Sequence, residues 1–305
     1  MLSVTGVAGF GLAAAVAVHA TGVPQQAFRA GVDLVNVPVV VRDRAGGPVR
    51  GLVREDFTIL ENGQPQTISY FAEGAPGEAV PLRLGLMIDK SESMAQDLRA
   101  ASDAAIKFVN ALEESDDVTF VDFDSKIRVG RFSPPSYPLL FERIRDRTAD
   151  GYTSLYDALG LYVRGTHERE GQHVLLLYTD GGDSTSTITF GTLQRLLREG
   201  NVLIYTVGYL EHQSASARAT QQMRLSQISS ETGGEAFFPT SREEISKAYD
   251  RILQDLQTRY TLGYVSTNRV ADGKFRKVEV KVSRPELKGL KVRARSGYLG
   301  PAAPR

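Results

Sequence analysis

Asp89, Ser91 and Ser93 stand at alternate positions directly after an apolar run, Leu84 to Ile88. One carboxylate and two hydroxyls, with no imidazole or thiol beside them, make a hard oxygen cluster suited to Mg²⁺, Mn²⁺ or Ca²⁺. The spacing by itself is weakly specific. Ser and Asp are routine helix caps, and on the spacing alone a cap of the helix expected next is the stronger reading. Two further stretches change that balance. In Asp150-Gly-Tyr-Thr-Ser-Leu, Thr153 precedes a helical pattern, where a cap is again the plain reading. In Leu177-Tyr-Thr-Asp-Gly-Gly-Asp-Ser, Asp180 closes an apolar strand and two glycines follow, allowing close backbone approach; the plain alternative is an Asx turn. Three such loops, each at a strand end or a helix start, are hard to ascribe to capping alone.

The elements that must position them are legible in the hydrophobic period. A strand that passes into a helix delivers its last residues to the carboxyl edge of a sheet, where open α/β folds bind ligands. From Leu82 to about Leu256 strands and helices alternate. Strands are expected at Leu82–Ile88, Asp117–Asp124, Ile127–Phe132, His173–Thr179, Val202–Gly208 and the short Ala236–Phe238. Helices are expected at Met94–Leu112, Leu139–Ile144, Leu155–Val163, Leu193–Leu197, near Gln221–Ser230 and at Glu243–Leu256, with Gln213–Thr220 read as a polar loop. Nearly continuous apolar strands such as His173–Thr179 require a sheet covered on both faces. This is an α/β, doubly wound layout with a mostly parallel sheet.

Both flanks are β in pattern. Val32–Arg42 alternates, Phe57–Glu61 meets the hairpin dipeptide Asn62-Gly63, and Gln66–Phe71 returns. Tyr260–Val265, Lys274–Val282 and Leu290–Tyr298 are strand candidates in the tail. The α/β unit is therefore expected to be inserted in, or flanked by, a small all-β sandwich-like domain. Two separate β appendages fit the periodicity equally well. The expected boundaries are 1–20 for a signal peptide or apolar segment and 21–80 for a β segment and linker. The α/β domain takes 81–258, and a second β segment, 259–305, packs with 28–75.

Composition narrows the function. Lys plus Arg number 36 and Asp plus Glu 36, which argues against a nucleic-acid surface. There is no cysteine, which excludes disulfides, thiol nucleophiles and Cys-ligated zinc. Residues 1–28 carry no charge, and Val4–Ala20 is rich in Ala, Val and Gly. That pattern predicts a secretory signal, with Val18 and Ala20 at the cleavage rule positions and a mature chain from near Thr21. The basic residues expected before it are missing, and a membrane anchor is the alternative, although the segment is short and glycine-rich for a span.

Taken together, the three loops resemble the von Willebrand factor type A domain and its metal-ion-dependent adhesion site, over about Pro81 to Leu256. The flanking β segments look like those of secreted bacterial proteins of this family. The resemblance implies that Asp89, Ser91 and Ser93 form the first loop of the site, Thr153 the second and Asp180 the third. It implies a divalent cation, Mg²⁺ foremost with Mn²⁺ or Ca²⁺ possible, and a coordination position left for an Asp or Glu carboxylate of a partner protein. Lys90 and Glu92 are expected to point away from the metal, and Asp124, Asp157 and Asp183 to be supporting or solvated carboxylates.

The function expected is that of an exported adhesion or assembly module, secreted or held in the periplasm or cell envelope, with no enzymatic activity and no membrane insertion after signal removal. One alternative is a structural envelope protein with a static cation. Another is a Mg²⁺-dependent phosphoryl-transfer enzyme, but such enzymes place a second Asp two residues after the first, where this chain has Ser91. His167-Glu168 lacks the second His of a zinc motif, and His173 and His212 read as surface histidines.

Overall fold

A computed structural model describes residues 34–74, 81–111, 115–146, 148–166 and 169–302. The expected signal segment, most of the linker before Pro81 and the pair His167-Glu168 lie outside the described residues.

The chain opens with β1 (Leu34–Arg42), β2 (Phe57–Glu61), β3 (Gln64–Gln66) and β4 (Ile68–Glu73). The α/β part follows: β5 (Leu82–Asp89), α1 (Leu98–Ala111), β6 (Ser115–Phe123), β7 (Ile127–Phe132), α2 (Tyr137–Arg145) and α3 (Leu155–Thr166). It continues through β8 (Gln172–Thr179), α4 (Phe190–Glu199), β9 (Val202–Gly208), α5 (Ala215–Thr232), β10 (Ala236–Phe237) and α6 (Arg242–Thr258). The tail holds β11 (Tyr260–Val265), β12 (Phe275–Val282), β13 (Lys291–Ala294) and β14 (Gly297–Leu299).

The central sheet runs β10-β9-β8-β5-β6-β7, parallel throughout except for the antiparallel edge strand β7. Its strands are apolar at successive positions because both faces are covered. Along β5, Leu84, Leu86 and Ile88 join one core with Phe108 of α1 and Ile252 of α6. Met87 joins the opposite core with Leu159 of α3 and Leu193 of α4. Gly85 keeps its place in that strand because a β-carbon there would lie 2.2 Å from the Tyr162 hydroxyl.

Strands from the two ends of the chain share two further sheets, both antiparallel: β13-β1-β11-β4 and β14-β12-β2-β3. Val37, Val39, Ile59, Tyr260, Leu262, Tyr264 and Val278 form one core between them. The Asn62-Gly63 turn holds both residues at positive φ, 49° and 82°, the conformation a two-residue hairpin needs, and it joins β2 to β3.

Several expectations need correction. The return strand Gln66–Phe71 is two strands, since β3 pairs with β2 in one sheet and β4 with β11 in the other. Leu290–Tyr298 likewise divides into β13 and β14, which serve different sheets. A strand that changes sheet keeps its alternating pattern, so the break is invisible in the period. Gln213–Thr220 is not a loop beyond Ser214. Ser214 caps α5 by accepting from the Ala217 N–H (3.4 Å), and the helix starts at Ala215.

One buried cluster joins α6 to the first antiparallel sheet. Asp255, with no solvent exposure, accepts from Arg42 of β1 and Arg293 of β13, and from the Tyr205 hydroxyl of β9 (3.3 Å). Arg293 also reaches Glu235 and the Gly233 carbonyl. Removing one member of such a cluster leaves buried charge without a partner. Asp255→Ala is therefore expected to lower unfolding stability by about 3–5 kcal/mol, read from urea denaturation.

Candidate metal centre

β5 and β8 are adjacent parallel strands, so Asp89 and Asp180 emerge side by side at the carboxyl edge of the sheet. After Asp89 the chain makes a single 3-10 turn, Glu92–Met94, and α1 does not begin until Leu98. The helix expected to follow at once is thus delayed. Ser91 caps nothing with its side chain; its hydroxyl lies 3.2 Å from that of Ser93. Asp89 is held at both oxygens: Oδ1 accepts from the Ser91 N–H (3.0 Å) and Oδ2 from the Thr179 hydroxyl (2.6 Å).

Hydrogen bonds stitch the three loops together. The first and second meet where the Glu92 N–H donates to the Gly151 carbonyl (3.2 Å) and the Asp150 N–H to that of Lys90 (3.0 Å). The second and third meet at Thr153, whose N–H donates to the Ser184 hydroxyl (3.0 Å) and whose carbonyl accepts from the Ser184 N–H (2.9 Å). The Thr153 hydroxyl makes no hydrogen bond among the described residues. Asp180 forms the Asx turn, accepting at Oδ1 from the Gly182 N–H (3.0 Å). A β-carbon on Gly182 would sit 3.2 Å from Asp180 Oδ1 and 3.9 Å from Thr153 Oγ1, so glycine lets these two oxygens share one space.

Asp89, Ser91, Thr153 and Asp180 are all buried, while Ser93 is exposed at the rim. Lys90 is buried as well, and its ammonium turns away toward the Arg143 carbonyl (3.4 Å) and Asp146 (3.5 Å) on the α2 side. Glu92 is exposed. Asp183 accepts from the Tyr156 N–H and the Ser186 hydroxyl, and Asp157 from the Thr187 and Ile188 N–H groups. Asp124 accepts from the Lys126 N–H and pairs with Arg128. These three carboxylates shape the loops. His173 is buried rather than superficial: its ring lies 3.0 Å from the Arg169 carbonyl, and burial pushes its pKa down.

No basic side chain pairs with Asp89 or Asp180 among the described residues. Burial, and then the charge of Asp180, push the Asp89 carboxyl up to about 7. Among the described residues no cluster of three or more His, Cys, Asp and Glu side chains could hold a metal. The oxygens gathered here come from two carboxylates and three hydroxyls, a hard donor set deficient in positive charge, and a small divalent cation fits both properties. Sequence reasoning missed Thr179, whereas Gln213 opens the polar stretch Gln213–Thr220, whose place after Val202–Gly208 fits the rim of a binding face as well as a solvated loop. Thr179 fixes Asp89, and Gln213 donates to the Asp180 carbonyl (2.9 Å). The position of Thr179 next to Asp180 was the available signal for it.

The fold is that of an α/β domain with an oxygen-lined edge at the carboxyl ends of its parallel strands. The family profile of the von Willebrand factor type A domain matches residues 84–251, more than half of the chain, and the chain belongs to that family. Curated proteins give no match. Among solved structures, a von Willebrand factor type A protein from Catenulispora acidiphila aligns with 12% identity and a TM-score of 0.50, covering 90% of this chain and 76% of that one. The PilB minor pilin from Streptococcus sanguinis aligns over 59% of this chain at 12% identity and a TM-score of 0.46; this chain spans 63% of its length. The von Willebrand factor domain of the type V pili tip protein Mfa5 from Porphyromonas gingivalis aligns at 13% identity and a TM-score of 0.44, over 57% of this chain and 94% of that one. At these identities the likeness is one of fold.

The raised Asp89 value has a consequence for stability. The folded metal-free protein holds a proton on Asp89 that the unfolded chain releases near the ordinary carboxylate value of 3.8. Its contribution to stability is therefore lost as pH rises from about 4 to about 7. Asp89→Asn is expected to be more stable than the parent at pH 8 without metal, by at most about 4 kcal/mol, and to match it near pH 4. Thermal unfolding of both proteins across that range checks it.

Proposed function

We propose that this chain is an exported, non-enzymatic module that binds a partner protein through a divalent cation. The observation that carries the reading is the assembly of three hydrogen-bonded loops at one sheet edge, with two carboxylates that no basic side chain among the described residues neutralises. Asp89, Ser91, Ser93, Thr153 and Asp180 would hold the cation as a metal-ion-dependent adhesion site, with Mg²⁺ the foremost ion and Mn²⁺ or Ca²⁺ the alternatives. The bound cation supplies a positive charge for an Asp or Glu carboxylate of the partner.

The protein's own groups do the positioning. The Ser91 N–H and the Thr179 hydroxyl fix both oxygens of Asp89, and Gly182 keeps the space beside Asp180 and Thr153 open. Ser93 stands at the exposed rim, where a partner can approach. Ser91 supports the absence of phosphoryl transfer, since it occupies the place of the second aspartate such enzymes need. The antiparallel sheets present this edge to a partner. An extracellular or envelope location accords with the expected signal segment, and among the described residues no helix is long and apolar enough to cross a membrane.

Calorimetric titration of Mg²⁺, Mn²⁺ and Ca²⁺ into the metal-stripped protein tests this reading. One site is expected in the parent, none in Asp89→Ala, and affinity reduced on the order of tenfold in Thr153→Ala. Heat signals of equal size in parent and Asp89→Ala would remove the site. A surface displaying a glutamate-bearing peptide with no bulky aliphatic residue should retain the parent protein in Mg²⁺ and release it in chelator.

A further inference from the structure

A second surface lies away from the metal loops, toward the amino ends of the central strands. It is a groove of about 390 Å³ between the β6–β7 edge and the outer side of α3. Thr119 pairs with Arg131 and Val121 with Val129 across β6 and β7, so these four share one face of the sheet. Val121, Val129, Leu161 and Tyr162 give the groove an apolar floor. Two of them are large side chains left open to solvent, Val129 at 53% and Leu161 at 48% exposure. β7 is the last strand of its sheet.

The charge around this floor is of one sign. Arg131 stands on the strand wall, Arg164 on the helix wall and Arg169 at the end, and no carboxylate is among the lining residues. Arg169 is occupied by a two-pronged pair with Asp117 (3.1 and 2.6 Å). Arg131 and Arg164 are exposed and pair with no carboxylate among the described residues. In a chain whose formal charge is zero, this gathers guanidinium groups that pair with no carboxylate among the described residues around solvent-open apolar side chains. Guanidinium groups beside apolar surface are a frequent composition of protein-binding patches.

We propose that the groove between β7 and α3 docks an acidic, apolar peptide segment of a partner protein, with bulky aliphatic side chains on the floor and flanking carboxylates on Arg131 and Arg164. The two cations stand on opposite walls with the floor between them, and a segment with carboxylates on both sides of its apolar residues complements that order. The surface uses no residue of the proposed metal site and would add a second point of attachment, independent of the cation.

Fluorescence anisotropy of the full chain with a labelled Glu-Glu-Leu-Leu-Glu-Glu peptide tests the proposal. Saturable binding is expected to persist in chelator and, measured there, to be weakened about tenfold by Arg164→Glu and again by Arg131→Glu. Replacing the glutamates with glutamine, or the leucines with serine, should each weaken binding at least as much. Leu161→Ser should weaken the acidic peptide while leaving thermal unfolding near that of the parent, because the side chain is half exposed. The proposal is overturned by absence of saturable binding, by equal binding of the glutamine or serine peptide, by insensitivity to both charge reversals, or by loss of binding in chelator. Failure here leaves the cation titration unaffected, so the two surfaces stand or fall separately.

Discussion

A carboxylate with no access to water must be surrounded by charge and hydrogen bonds, and Asp255 meets that requirement with Arg42, Arg293 and the Tyr205 hydroxyl. Those partners come from β1, β13 and β9, so one side chain fixes the last helix against both an antiparallel sheet and the central one. Only Arg259 separates α6 from β11. The axis of α6 is thereby set at its end by chain connection and along its length by the ionic cluster. An adjoining side of that helix, through Ile245, Tyr249 and Ile252, covers the same face of the central sheet as α1. A matched set of buried charges thus ties the site-bearing sheet to the first antiparallel one.

The candidate centre works by a complementary rule. Among the described residues no basic side chain neutralises its carboxylates, and its geometry is held by backbone and hydroxyl groups that carry no net charge. Thr179 and the Ser91 amide orient Asp89, and Ser184 bonds to both the N–H and the carbonyl of Thr153. Neutral donors fix positions without cancelling the field that an incoming cation would meet. Lys90, adjacent in sequence to Asp89, illustrates the separation: it is buried, yet its ammonium is directed toward α2.

Much of this was legible in the sequence because period and loop chemistry are local. Apolar runs such as Leu84–Ile88 and Val174–Leu177 announced a sheet covered on both faces, and Asn62-Gly63 announced its hairpin. The oxygen-bearing residues at strand ends announced where to look for a site. What stayed hidden was set by contacts distant in the chain. The divisions at Thr67 and at Arg295–Ser296 occur where a strand leaves one sheet for another, a change that alternation does not register. The first turns of α5 carry Ser, Ala, Arg, Thr and Gln with little apolar pattern, and the Ser214 cap starts the helix there. His173 looked superficial as the first residue of a run, but Arg169 and the groove beside it enclose the ring.

The pairing of β4 with β11 carries a topological consequence. Glu73 and Tyr260 are direct partners across those antiparallel neighbours. To the antiparallel sheets, everything between these two residues, the entire α/β layer with its proposed cation site and arginine-lined groove, is one closed loop on a β-hairpin. The entropy of closing such a loop grows only with the logarithm of its length. The hairpin ends would accept a longer, shorter or different insert at little cost to strand register. The β sheets are in that sense a socket for the α/β layer, and any exchanged insert would have to bring its own buried acid to meet Arg42 and Arg293.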